Sequence, residues 1–279
     1  MQAFSFILIL ANVIFSYMGF RDRTLLGRYA LKVDKVFLEK EYWRIITSGF
    51  LHVSWPHLIF NMLSLYAFSE MLEPFLGTGF FLLIYFSGLV GGNLFSLFLH
   101  RNHGGFSSVG ASGAVCGIIF ASIALFPRLE VGLFFLPLFI PSWIFGLIYV
   151  LYTIWGLRSK HDNVGHEAHL AGALVGMFIA ILLYPGAIAA NYLPILAITI
   201  PCLLFIYIIV KKPHTLLVSN NFFDRQKQDY YSIDHRYNAR KATEQKEIDA
   251  ILEKIHRKGM GSLSKKEKEA LDRYSKMSK

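Results

Sequence analysis

The chain is poor in charge. Only 17% of its 279 residues are Asp, Glu, Lys or Arg, against about 25% in an ordinary soluble domain. Charges are sparse before Lys211, while 54% of all residues are hydrophobic. That balance excludes a water-soluble globular domain and describes a polytopic membrane protein whose solvent is the bilayer. Cysteine is scarce as well: Cys116 and Cys202 both lie inside apolar runs, where a thiol packs as a small hydrophobe, so no disulfide is expected. The first apolar run lacks a charged leader and an A-x-A cleavage site, so it reads as a retained helix and not as a signal peptide. No internal repeat is visible, and paired broken helices in repeated halves are missing, which argues against a transporter. The zinc-protease pattern H-E-x-x-H is absent: "HEAH" at residues 166–169 is one residue too short and supplies too few ligands. No metal or cofactor is expected.

Long apolar runs dominate what is present. They fall near residues 3–19, 53–73, 79–99, 113–126, 132–157, 167–184 and 190–210. A span needs about 20 apolar residues and must satisfy its backbone internally, so these runs predict an all-α membrane bundle. The fourth run is too short to cross. The polar tail after Lys211 carries most of the net charge of +9. Its basic residues alternate with acidic ones, which favours a solvated or lipid-headgroup-facing tail over a nucleic-acid arm. Within it, residues 219–240 read as a linker. Ile248, Ile251, Leu252 and Ile255 then repeat at helical spacing, and Gly259 and Gly261 supply a stop. Ser264 with Glu267 fits a capping box opening a second helix that presents Leu271 and Tyr274. A small helical hairpin with so little core is expected to be an appendage.

Polar side chains inside membrane helices are costly unless they face a cavity or a partner, so function is sought among them. They are His52, His57, Asn61, Glu73, Asn93, Ser112, His166, Glu167 and His169. The second, fourth and sixth helices run in one direction and end at Pro74, Pro127 and Pro185. Measured from those prolines at about 1.5 Å per residue, Ser112 stands about 22 Å away, His169 about 24 Å, Asn61 about 20 Å and His57 about 25 Å. All four arrive at one level, a few ångströms below the opposite surface of a core about 30 Å thick. The fourth helix is therefore expected to start inside the membrane, met by a loop that dips in. Irregular backbone at that depth must line a protein-enclosed or water-filled cavity.

A serine at a helix N-terminus sits beside unpaired N–H groups and the positive end of the helix dipole, which suits an oxyanion. Histidine is the base best able to take its proton near neutral pH. Ser112 and His169 can form a nucleophile and base if their helices touch. Gly113 and Gly117 on one helix, and Gly172 and Gly176 on the other, give the small-xxx-small faces that permit this. No carboxylate stands at that level, and Glu167 points off the histidine's face, so the pair reads as a dyad. His57 and Asn61, one turn apart, can aim donors at the oxyanion. Taken singly, such a serine or histidine is more often a packing residue; their convergence at one depth is what points to chemistry. His52 and His166 read as loop-edge or cavity-edge residues with structural roles, and His100, His103, His161, His214, His235 and His256 as solvated.

"WRIITSGFLHVSWPHLIFNML", "GASGAVCG" and "GHEAHLAGALVG", in this order and spacing, resemble the rhomboid intramembrane serine proteases over about residues 3–185. The resemblance implies a six-helix core with a seventh helix added. Domains follow as residues 1–186 for the core, 187–211 for the extra helix and 212–279 for linker and hairpin, an appendage similar to one on some bacterial rhomboids. It implies Ser112 as nucleophile, His169 as general base, and His57, Asn61 and the Ser112 backbone as the oxyanion site. Trp43-Arg44 matches a signature in a half-buried first-loop hairpin, and Glu73 a structural glutamate. Substrates would be single-pass transmembrane proteins entering from lipid between the second and fifth helices, in a bacterial inner membrane. One departure stands out: many members carry a tyrosine four residues after the serine, stacked on the histidine, where this chain has Cys116. A rhomboid-like binder that does not cut would be expected to lack the serine or the histidine. The positive-inside rule puts the Ser112 side, first loop and tail in the cytoplasm; family topology puts the active site on the outer face.

Overall fold

The computed structural model describes residues 3–132, 139–159 and 165–211, and in the tail residues 251, 253–255, 262–264, 267–268 and 271. The chain divides into two compact units, a membrane bundle and a small C-terminal unit. Helix α1 (Ala3–Arg21) opens the bundle. Its first N–H groups have no partner within the helix, and the Glu73 carboxylate supplies one, accepting from Phe4 N at 3.1 Å and Ser5 N at 3.0 Å. Glu73 is only 2% exposed, so the expected structural glutamate is a helix cap reached from across the bundle.

The first loop is a chain of short pieces and not a plain hairpin: α2 (Arg23–Tyr29), β1 (Leu31–Lys32), α3 (Val33–Phe37), α4 (Arg44–Thr47) and a 3-10 turn, Ser48–Phe50. Buried Arg44 ties them together. It donates to the carbonyls of Ala30 at 2.8 Å and Gly27 at 3.3 Å and to Glu41 at 2.5 Å, with its guanidinium 4.7 Å from the centre of the Trp43 ring. Its planar fork holds donors in fixed directions toward several acceptors spread around it, a geometry the point-like ammonium of lysine lacks. Asn93 reaches the same loop, donating to Ile45 O at 2.7 Å and Ser48 Oγ at 3.1 Å.

The main helices follow as α5 (Trp55–Leu76), α6 (Thr78–Leu99), α7 (Ser112–Leu125), α8 (Ser142–Ser159), α9 (His166–Leu183) and α10 (Gly186–Lys211). Helices α1, α6, α9 and α10 are long and apolar enough to cross a membrane by length and composition. α7 is too short to do so, but every residue from Gly113 to Ala124 is buried, so this helix, apolar all round, is the axis of the bundle. The fold is the all-α polytopic membrane bundle that the apolar runs predict.

Two boundaries differ from the sequence reading. The fifth run is expected from residue 132, whereas α8 begins at Ser142, with Glu130–Gly132 (β3) paired antiparallel with Phe139–Pro141 (β4) ahead of it. Pro141 fixes the backbone just ahead of α8, and Ser142 Oγ donates to Phe126 O at 2.9 Å. The last helix starts at Gly186 and bends at Asn191, whose backbone is non-helical. The Asn191 amide donates to Ala124 O at 2.9 Å and Leu125 O at 3.4 Å, satisfying two carbonyls at the end of α7.

In the C-terminal unit Ile251, Ile255, Leu263 and Leu271 pack together. The capping box forms: Ser264 N donates to Glu267 Oε2 at 2.7 Å, and Glu267 N to Ser264 Oγ at 3.3 Å. Ile248, Leu252, Gly259, Gly261, Tyr274 and the linker lie outside the described residues, as do His161, His214, His235 and His256.

Candidate active site

The loop ahead of α7 is pinned before it reaches Ser112. Ser107–Ser108 (β2) pairs antiparallel with β1 of the first loop, and Gly110 N donates to Ser48 O at 3.0 Å. Gly110 has φ +142°, a conformation that side-chain-bearing residues rarely adopt. A Cβ on it would lie 2.9 Å from His57 Cε1, 3.0 Å from His57 Nε2 and 3.6 Å from Ser112 Oγ. The absent side chain therefore leaves space bordered by the His57 ring and the Ser112 hydroxyl. Ser112 is the first residue of α7, where the first-turn N–H groups have no intrahelical acceptor.

Glycines bring α9 to this point. A Cβ on Gly172 would fall on the carbonyl oxygen of Gly113, and one on Gly176 on that of Gly117. The four glycines picked from the sequence thus meet in register, with backbone touching backbone. The third partner, α6, was not anticipated: a Cβ on Gly88 would lie 3.1 Å from Gly113 O, and one on Gly92 2.7 Å from Ala168 O. The signal was present in "GLVGG", residues 88–92, which carries the same small-residue spacing.

Ser112, His169, His57 and Asn61 line one cavity of about 710 Å³. His169 is 8% exposed. Its Nδ1 lies 2.9 Å from the hydroxyl of Tyr149 on α8, the two rings are 29° from parallel, and the same hydroxyl is 3.2 Å from Cys116 Sγ. Tyr149 was not singled out from the sequence, where one aromatic among many on an apolar helix carries no mark. The Asn61 amide donates to His57 O at 2.8 Å, one turn back on its own helix, which fixes the side chain at the cavity wall.

The remaining polar residues have structural partners. His52 is fully buried, its Nδ1 2.8 Å from Ser16 Oγ and its ring packed edge-on against His57 at 4.8 Å. His166 is also buried, and its ring fills the space that a side chain on Gly156 would need. Both stand at loop edges, His52 ahead of α5 and His166 at the start of α9, and both make structural contacts. His100 is not solvated: it is 4% exposed, stacked on Phe106 at 3.8 Å, with Nε2 3.5 Å from Glu167 Oε1. A histidine at a helix end reads as solvent-facing in sequence, but the partner that draws it inward is 67 residues away in the chain. His103 is half-buried. Glu167 also accepts from Ser96 Oγ at 3.0 Å, which directs it away from His169 as its helical position predicts. Cys116 and Cys202 are buried free thiols.

Comparison with known proteins agrees in extent with this core. The rhomboid domain model matches residues 39–186, more than half of the chain, and a family of unknown function (DUF6576) matches residues 231–277. The chain is 30% identical over 181 residues to RHOMBOID-like protein 12, mitochondrial, of Arabidopsis thaliana, covering 59% of this chain and 53% of the relative. It is 33% identical over 149 residues to Rhomboid protein 1, mitochondrial, of Saccharomyces cerevisiae, covering 51% and 43%. To Rhomboid protease GluP of Bacillus subtilis it is 28% identical over 162 residues, covering 58% and 30%. The matched part is thus about half or less of these relatives' length. The glycine-locked bundle, the pinned first loop and the domain match together make this chain a member of the rhomboid family.

Proposed function

We propose that the chain is an intramembrane serine protease acting through a Ser112–His169 dyad. The observation that carries this reading is the opening of a helix-N-terminal serine and a histidine from the facing helix onto one cavity, across a glycine contact that holds their helices together. Ser112 Oγ attacks the peptide carbonyl while His169 takes its proton. The first-turn N–H groups of α7, with His57 and Asn61, stabilise the oxyanion. His169 then gives the proton to the leaving amine, and water hydrolyses the ester to restore Ser112.

Phe60 of α5 and Phe145 and Tyr152 of α8 line the same cavity, which supports access of a transmembrane substrate from lipid between these helices. A continuous helix hides its carbonyls in its own hydrogen bonds, so substrates that unwind near the membrane surface are preferred. The proposed organisation is a protease core over residues 1–186, an added helix over 187–211 and a linker with its hairpin over 212–279. A bacterial inner membrane belongs to the same proposal; it rests on the kind of C-terminal appendage, while the relatives carry mitochondrial as well as bacterial names.

Cleavage of a tagged single-pass substrate in proteoliposomes tests the activity. Loss in both Ser112→Ala and His169→Ala, with no effect of a chelator, is expected. Cleavage that survives Ser112→Ala overturns the dyad, and a wild type that binds without cutting favours a non-catalytic client binder. The proposal places the Ser112 side and the tail on the outer face. A cysteine introduced at Ser264 should then react with an impermeant label in intact inner-membrane vesicles of right-side-out orientation, and labelling only after permeabilisation reverses the assignment.

A further inference from the structure

We propose that Tyr149 is the residue that positions His169, its phenol oxygen accepting a hydrogen bond from Nδ1 and its own hydroxyl donating one to Cys116 Sγ. The inference rests on the protease reading, and it supplies what that reading lacks, a group that sets the imidazole's orientation. Three atoms make an ordered chain: His169 Nδ1 to Tyr149 Oη at 2.9 Å, and Tyr149 Oη to Cys116 Sγ at 3.2 Å. Geometry alone leaves both directions open, but the chemistry selects one. A base for Ser112 needs a bare Nε2, so Nδ1 carries the hydrogen and donates. The phenol must then accept from the ring, and its own hydrogen needs another acceptor. Cys116 Sγ, at 3.2 Å, is that acceptor.

The rings are 29° from parallel with centroids at 6.2 Å, so they lie end to end and Tyr149 reaches the imidazole through its hydroxyl. It stands on α8, outside the glycine contact that joins α6, α7 and α9, and it borders the cavity from the side through which substrate is proposed to arrive. Cys116 stands one turn after Ser112 on α7. A bulky residue at 116 would occupy the space that the Tyr149 hydroxyl now fills, so the two positions are complementary in size as well as in hydrogen bonding.

The test uses the full chain in proteoliposomes, with kcat and KM for a tagged transmembrane substrate and the rate at which a fluorophosphonate labels Ser112. Tyr149→Phe keeps the ring and removes the hydroxyl. The expected result is a fall of about 10- to 100-fold in kcat and in labelling rate, the scale of a misplaced catalytic group, with KM within about threefold of wild type by the same reasoning, because the hydroxyl contacts the base and not the substrate. Exchanging the two side chains, Cys116→Tyr with Tyr149→Cys, should recover much of the kcat that Tyr149→Cys alone loses. Wild-type kcat and labelling in Tyr149→Phe, or an effect on KM alone, overturns the inference and leaves the dyad intact. A wild type that neither cuts nor labels removes the protease reading and this inference with it. If Tyr149→Phe does not fold, Cys116→Ser and Cys116→Ala decide: serine, an acceptor, should keep activity and alanine should lower it, whereas equal activity in both overturns the chain.

Discussion

The glycine contact joins α7, which carries Ser112, to α9, which carries His169, and Gly172→Ala perturbs it with a single methyl group. The added Cβ would fall on Gly113 O, with Gly113 C at 2.9 Å and Gly113 Cα at 3.0 Å. These are backbone atoms of the residue after Ser112, so no rotamer change relieves the overlap. An ordinary contact requires the helices to part by about 1 Å, and close-packed interiors transmit such a shift. Overpacking of this kind costs about 1–3 kcal/mol of stability. A displacement of about 1 Å between reacting groups costs about 100-fold in rate. Gly79→Ala is the matched control: nothing lies within 4 Å of the added Cβ, and alanine is the better helix former by about 1 kcal/mol. Both variants are compared by unfolding midpoint in detergent and by kcat in proteoliposomes. Gly172→Ala should lose on both measures and Gly79→Ala on neither. A Gly172→Ala protein with wild-type stability and kcat within threefold would refute the idea that this contact sets the site's geometry.

Three further outcomes are expected. Gly110→Ala forces a side chain into φ +142° and against the His57 ring; it should cost about 1–3 kcal/mol in strain and depress cleavage more than substrate binding, read from kcat and KM. Glu73→Ala strands the N–H groups of Phe4 and of buried Ser5 at the start of α1, for an expected loss of about 1–3 kcal/mol in unfolding measurements, with kcat per folded molecule unchanged. The Glu267 carboxylate is held down at about 2 by its bond to Lys254 and by the Ser264 capping contacts. A depressed acid contributes its stability above its unfolded value of about 4.3 and loses it as pH falls toward 2. The exchange protection of the Ser264 amide should fall over that window in the full chain, and Glu267→Gln should remove the pH dependence.

Much of this protein is legible in one dimension because the bilayer imposes simple rules. Apolar length and the pattern of prolines locate α1, α5, α6, α7 and α9 to within a few residues. The limits of the reading are equally physical. The false start of α8 arose because an apolar stretch looks the same whether it forms a helix or, as at Glu130–Gly132 and Phe139–Pro141, a ribbon. The bend at Asn191 is set by carbonyls at the end of α7 that no local pattern announces. His100 reads as solvated in sequence and is buried in the structure, because burial depends on a partner distant in sequence.

By itself the sequence determined the solvent, the approximate spans, the four polar residues that line one cavity and the glycines that allow two helices to touch. These follow from rise per residue, side-chain volume and the cost of a polar group in hydrocarbon, all of which are local quantities. Tertiary structure alone decided that α6 joins the glycine contact, that Gly110 makes room for His57, and that a tyrosine from α8 meets His169 beside Cys116. Each of these joins atoms from separate helices, and only the packing of the bundle sets how such atoms face one another.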